Sequence, residues 1–259
     1  MAQISVALAT FNEEENIADC LDSVRNLAYE IVIVDGYSSD RTTEIAGRYG
    51  AKIIQAKNVP IFHINKQKAI DACHGDWILQ IDADERITPE LKEEITDITK
   101  ERNHERMEIN GYWIPRKNWF LSRFLEKGGQ YPDYTLRLYR RGKGRLPCKS
   151  VHEQAEVEGK TGYLKNDLVH LADPNFERYL NRFNRYTSLM ADEMVERKIS
   201  SNFLTALIYL VIKPVFWFFW TFIRHRGYQD GFPGLIFSAF SSLRYSVAYI
   251  KYWERRNKQ

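Results

Sequence analysis

The sequence predicts an α/β domain on a parallel sheet, with helices of a different character appended after it. Three observations carry this. Four short apolar runs, Ile4–Ala9, Ile31–Val34, Lys52–Gln55 and Trp77–Ile81, alternate with stretches of helical pattern. Two of them end abruptly in acids, Asp35 after the second and Asp82 with Asp84 after the fourth. Beyond residue 202 the chain turns apolar, aromatic and basic: net charge is +6 over residues 203–259 against −3 over residues 1–202, within a total of +3.

The bulk composition, 44% hydrophobic and 27% charged over 259 residues, is that of a globular protein of one ordinary domain plus an appendage. Cys20, Cys73 and Cys148 are odd in number and far apart, which suggests neither a disulfide framework nor a zinc site. MAQISVALATF lacks the basic and long apolar regions of a signal peptide, so a reducing cytosolic compartment is expected.

In chain order, Ile4–Ala9 is the first strand and Thr10-Phe11-Asn12 a loop facing the ligand. Asn12 and the acids after it read as the cap and first turn of a helix running to about Asn26. Ser39 or Asp40 caps a second helix that stops at Gly50, and a third spans about Asn65 to Cys73. This β-α-β alternation implies right-handed crossovers and parallel pairing.

The stretch DWILQIDADER, Asp76 to Arg86, organises the rest. An apolar strand buried on both faces ends in carboxylates, and in an open α/β sheet ligands bind outside the carboxyl ends of the strands. Carboxylates at i and i+2 repel unless a cation neutralises them, which fits Mg²⁺ or Mn²⁺. The plainer reading is a turn into the next helix, whose start is Thr88-Pro89-Glu90. Neither G-x-G-x-x-G nor G-x-x-x-x-G-K-[ST] occurs, which argues against dinucleotide oxidoreductases and P-loop enzymes.

ALATFNEEENI, IVIVDGYSSDRT and NKQKAIDACHGDWILQIDADE, in this order, resemble the N-terminal half of family 2 glycosyltransferases. The resemblance implies a GT-A fold, a Rossmann-like nucleotide-binding domain with a mixed sheet. It points to Thr10, Phe11, Asn12, Glu13 and Asp35 around a nucleotide, to Asp82 and Ala83 on the donor, and to Asp84 with Asp82 on a divalent metal. Lys66, where the family has Arg, is also implied to face the donor, without the bidentate contact of a guanidinium. RLYRRGKGRLPCKSVHEQ is similar to the branch that includes lipopolysaccharide-core glucosyltransferases. That similarity implies Glu153 as catalytic base, with Asp133 in reserve, and His170 completing the metal site. Read alone, Glu153 is an ordinary surface acid, His152 and His170 are structural histidines, and Arg137, Arg140 and Arg141 form a solvated face whose sign suits phosphate.

Asp173-Pro174 reads as the opening of an amphipathic helix whose stripe, Phe176, Tyr179, Leu180, Phe183, Tyr186, Met190 and Met194, is suited to packing. Phe203 to Ile223 is nearly continuous apolar sequence broken at Lys213-Pro214, which predicts two shorter helices lying in a membrane interface rather than one crossing it. Arg224, Arg226, Arg244, Arg255 and Arg256 would then meet anionic headgroups. Packing or oligomer contacts are the soluble alternative.

The expected organisation is a catalytic domain over residues 1–172, an amphipathic helix over 173–200 and membrane-associating helices over 203–259. The expected function is metal-dependent, inverting transfer from a nucleotide-sugar, a UDP-sugar first, to a lipid-linked or lipopolysaccharide-core acceptor at the cytoplasmic face of the inner membrane. A sugar-phosphate nucleotidyltransferase and an inactive membrane-bound binding module are the alternatives. Nucleic acid is excluded as a partner because the basic residues lie among apolar segments.

Overall fold

The computed structural model describes residues 2–100, 108–148, 154–173 and 175–258. The chain forms two compact units, one of Met1–Arg116 with Asp133–His170, the other of Lys117–Pro132 with Leu171–Gln259.

In the first unit, strands β1 (Ile4–Thr10), β2 (Glu30–Asp35), β3 (Lys52–Gln55) and β4 (Trp77–Gln80) alternate with helices α1 (Ile17–Val24), α2 (Thr42–Arg48) and α3 (His63–Asp71). The four strands lie in the order β3-β2-β1-β4, all parallel. Their apolar runs are buried because helices cover a parallel sheet on both faces. Val6, Leu8, Ile33 and Leu79 pack with α1 on one face, and Ala7, Val32, Val34 and Ile78 pack with Ala69 and Ile70 of α3 on the other.

β4 is followed by the short β5 (Glu85–Ile87) and by α4 (Pro89–Lys100), whose first turn Thr88 caps by accepting from Leu91 N at 3.1 Å. β6 (Ile109–Phe120) and β8 (Asp133–Arg140) then extend the sheet antiparallel, β8 beside β4 and β6 beside β8, which makes the sheet mixed. The hairpin strand β7 (Arg123–Phe124) folds back on the end of β6. β9 (Gly144–Arg145) and β10 (Glu156–Val157) form a small ribbon, β11 (Lys160–Tyr163) lies along β6, and β12 (Leu168–Asp173) pairs antiparallel with β5.

α1 begins later than the sequence suggested. Asn12 does not cap it: its φ is 54°, a left-handed conformation that Asn tolerates, and its side-chain oxygen accepts from Ser39 N at 2.8 Å. Neither Ser39 nor Asp40 caps α2: the cap position falls on Arg41, which makes no side-chain cap bond, and Asp40, one residue earlier, accepts from Thr42 N at 3.0 Å.

The second unit is helical. α5 (Phe176–Glu196) is capped by Asn175, which accepts from Arg178 N at 2.8 Å, and not by Asp173, which forms an ion pair with Arg182. Part of the stripe on α5 packs as expected, with Tyr179 against Phe120 and Phe240, and Met194 beside Tyr249 and Tyr252, whereas Leu180 and Tyr186 stay exposed.

The break at Lys213-Pro214 does not occur. α6 (Phe203–Arg224) runs through it as one helix of 22 residues. Two π-turns, Ile208–Ile212 and Trp220–Arg224, flank the proline, and Lys213 N bonds back to Ile208 O. A wider turn just before Pro214 absorbs the steric and hydrogen-bonding defect that breaks an ordinary α-helix. A 3₁₀ turn (Gly227–Asp230) then leads into α7 (Gly231–Asn257) and packs so closely on its first turn that a Cβ on Gly234 would fall 2.0 Å from Gly227 O; α7 meets α6 where Trp217 Nε1 donates to Ser241 Oγ at 2.9 Å. Buried Asp230 ties this corner down by accepting from Lys127 N at 2.8 Å and Glu126 N at 3.3 Å. α6 is long and apolar enough to cross a membrane, with mean hydropathy 1.8 and only 11% of its apolar window buried.

Candidate active site

The carboxyl ends of β1, β2 and β4 bring the sequence-selected acids to one edge of the sheet. Asp35, at the end of β2, is fully buried. Its Oδ1 accepts from Thr10 Oγ1 at 2.9 Å and Ser38 Oγ at 2.6 Å, and its Oδ2 accepts from Ser38 N at 2.8 Å. The loop after β1 is latched to the loop after β2 again through Asn12 N on Ser38 Oγ at 2.9 Å and Glu13 N on Thr42 Oγ1 at 2.8 Å. Glu13 also accepts from Asn16 Nδ2 at 2.7 Å, while Phe11 stands 45% exposed on this latched loop. Thr10, Asn12 and Asp35 thus act together as an ordering device, and Phe11 is the apolar surface it presents.

The acids after β4 separate into two groups. Asp82 turns towards cations: its Oδ1 is 2.5 Å from Lys66 Nζ and its Oδ2 2.9 Å from Arg137 Nη2. Glu85 is fully buried with Oε1 at 2.7 Å from Arg137 Nη2 and 3.4 Å from Arg116 Nη1, and its Oε2 accepts from Asp82 N at 2.9 Å. Arg137 also donates to Gln80 Oε1. Arg116 donates through Nε and Nη2 to Asp133 Oδ2 at 2.9 and 2.6 Å. Asp82, Glu85 and Asp133 therefore face Lys66, Arg116 and Arg137, a network of three acids and three bases.

Burial by itself pushes the Asp82 carboxyl up, but Lys66 and Arg137 outweigh it and hold the group well below the usual carboxylate range. Burial likewise disfavours charge on Arg137, and Glu85 with Asp82 more than offset that, so the guanidinium stays charged. Arg137 is therefore not the solvated face that the sequence suggested. It lies in the middle of β8, where Thr135 and Tyr139 on its own face and Leu136 and Leu138 on the other are all buried. Arg140 does pack as a surface residue, over the Trp77 ring at 4.6 Å.

Asp84 points elsewhere and meets His170, whose Nε2 lies 3.6 Å from Asp84 Oδ2. The pairing of β12 with β5 explains how residues so far apart in sequence come together, because it sets His170 opposite Glu85. The expected metal trio of Asp82, Asp84 and His170 does not gather, and among the described residues no three His, Cys, Asp or Glu side chains do. The reason is the stronger claim of Lys66 and Arg137 on Asp82. An imidazole nitrogen and a carboxylate oxygen side by side nonetheless fit a hard divalent cation that takes its remaining ligands from substrate phosphates and water. Lys66, only 7% exposed at its side chain and 4.7 Å from the Phe62 ring, is an internal counter-ion to Asp82.

Arg86, which the sequence did not single out, staples the acidic turn: Nη1 donates to Ala83 O at 2.7 Å and Nη2 to Asn16 O at 2.9 Å. Ala83 itself is buried. His152 and Glu153 lie outside the described residues.

The family model for glycosyl transferase family 2 matches residues 5–152, more than half of the chain. The protein belongs to glycosyl transferase family 2. An uncharacterized glycosyltransferase of Rickettsia felis is 30% identical over 248 residues, covering 91% of this chain and 84% of that protein. The lipopolysaccharide core biosynthesis glycosyltransferase LpsC of Rhizobium meliloti is 28% identical over 239 residues, covering 90% and 85%. Among solved structures, S. aureus TarS residues 1–349 in complex with UDP superposes with a TM-score of 0.51 at 15% identity, covering 99% of this chain and 92% of that one. This family 2 glycosyltransferase therefore has the GT-A-like mixed α/β fold that its first ninety residues implied.

Proposed function

We propose that this family 2 glycosyltransferase is a metal-dependent, inverting enzyme that moves a hexose from a UDP-sugar to a lipid-linked or lipopolysaccharide-core glycan at the cytoplasmic membrane face. The observation that carries the reading is the meeting of Asp84 with His170 at 3.6 Å beyond the end of β4, the sheet edge at which β2 ends in Asp35. The similarity to LpsC supports the acceptor class, and the exposed apolar face of α6 supports the membrane.

Thr10, Asn12 and Asp35 fix the loops on which the nucleotide rests, and Phe11 offers its ring to the base. Asp84 and His170 would hold a divalent cation, which when bound neutralises charge on the diphosphate leaving group. Asp82, held by Lys66 and Arg137, positions the turn that carries Asp84. Glu153 accepts the proton of the acceptor hydroxyl as its oxygen attacks the anomeric carbon opposite the departing nucleotide. Asp133 is the weaker choice for that role, since two nitrogens of Arg116 already occupy one of its oxygens.

The test is a panel of sugar nucleotides offered to the full chain with Mg²⁺ or Mn²⁺, with and without chelator. One UDP-sugar is expected to be hydrolysed slowly, the activity vanishing with chelator and returning with metal. Glu153→Gln should lower turnover roughly 10²–10⁴-fold with donor binding kept. Chelator-resistant hydrolysis would remove the metal from the proposal. Loss in Asp133→Asn with full activity in Glu153→Gln would move the base to Asp133.

A further inference from the structure

We infer that the seam between α6 and α7 holds a binding site for the phosphate of an anionic phospholipid, built by Lys213 and Arg244. The inference rests on the membrane reading above and assigns the chemistry by which that membrane is gripped.

The two cations come from different helices and flank one ring: Lys213 Nζ lies 5.8 Å and Arg244 Cζ 5.0 Å from the centre of Tyr245. Each has a second aromatic wall, Tyr209 at 3.6 Å from Lys213 and Trp217 at 4.8 Å from Arg244. The walls are held in place, for Trp217 Nε1 donates to Ser241 Oγ at 2.9 Å and Tyr209 stacks on Tyr249 at 5.4 Å. Two positive groups are thus held against one shared ring rather than waving in solvent.

Neither has a carboxylate partner among the described residues. Residues 203–259 contain two acids, and both are engaged: Asp230 with the 126–127 backbone and Arg123, and Glu254 with Lys258. Arg244 Nε is also buried without a hydrogen-bond partner. Two like charges around one ring, with an unsatisfied N–H between apolar walls, are complementary to an anion that accepts several hydrogen bonds. Phosphate is such an anion.

Position along the helix selects a lipid source. Lys213 sits ten residues from one end of α6 and eleven from the other, about 15 Å from each at the helical rise. Were α6 to cross a bilayer, these uncompensated cations would fall at its centre, where charge is most costly. With α6 and α7 lying along the interface, both cations reach the level of the phosphates while half-exposed side chains such as Val211, Ile212, Val215, Phe216 and Phe219 enter the acyl region.

The test is co-sedimentation of the full chain with vesicles of phosphatidylcholine alone, phosphatidylcholine with phosphatidylglycerol, and phosphatidylcholine with oleate matched in surface charge. The native chain should prefer phosphatidylglycerol to oleate vesicles. Each basic residue at an anionic surface is worth roughly fivefold, so Lys213→Gln with Arg244→Gln should weaken binding to phosphatidylglycerol vesicles by about 30-fold and erase the preference. The swapped pair Lys213→Arg with Arg244→Lys should keep it, which separates charge from misfolding, and donor hydrolysis checks that each variant is folded. Equal binding of the native chain to phosphatidylglycerol and oleate vesicles would overturn the phosphate site but leave membrane docking intact. Release by millimolar inorganic phosphate would assign the site to free phosphate instead. Binding to no vesicle, with hydrolysis intact, would overturn the membrane reading as well.

Discussion

The acidic turn after β4 and the seam between α6 and α7 treat charge in opposite ways. At the turn, Asp82, Glu85 and Asp133 are matched by Lys66, Arg116 and Arg137 at 2.5–3.4 Å, so the network is closed within the protein. In the seam, Lys213 and Arg244 have aromatic walls and no acid partners among the described residues. Internal balance marks residues that hold a shape, whereas imbalance marks a surface waiting for a partner. By this measure most of the conspicuous acidic cluster is scaffold, and Asp84 with His170 is what the scaffold presents.

Stability measurements on single variants should separate the two regions. Arg137→Met leaves Asp82 with Lys66 alone and the buried Glu85 with only the more distant Arg116, and removing one partner of such a buried pair costs about 3–5 kcal/mol. Chemical denaturation should report a loss of that size; a loss under about 1 kcal/mol would show that the turn does not depend on its central guanidinium. The smaller effect belongs to the seam. Lys213→Met orphans no acid and gives up only cation–π contact, so the change should stay within about 1 kcal/mol. A cost equal to that of Arg137→Met would mean that Lys213 has a structural partner and that the seam is also closed.

What the sequence disclosed follows the same division. The β1–β4 core was legible because strands buried on both faces must be apolar, and their ends were marked by Asp35 and Asp82. The extended pairing of β12 with β5 was not, because no local pattern sets His170 opposite Glu85; only family likeness nominated that histidine. Arg137 was misread because a charge in an alternating strand resembles a solvated face until the facing strand supplies Gln80 and the acids beyond it. The helix break at Pro214 was misjudged because proline propensity does not register a π-turn five residues deep. Asn12 and Asp173 looked like caps by residue type, yet tertiary partners, Ser39 and Arg182, had the stronger claim on each.

We propose that Asp84 and His170, and not Asp82, are the ligands for a divalent cation. Mn²⁺ binding in the presence of UDP, followed by the electron paramagnetic resonance of the free ion, tests it on the native chain and on Asp82→Asn, Asp84→Asn and His170→Ala. Affinity should fall at least about tenfold in Asp84→Asn and His170→Ala, since ligand loss should cost no less than loss of a supporting partner. Asp82→Asn should keep Mn²⁺ within a few-fold while lowering thermal stability. Loss of Mn²⁺ in Asp82→Asn at unchanged stability, with Asp84→Asn still binding, would contradict the account.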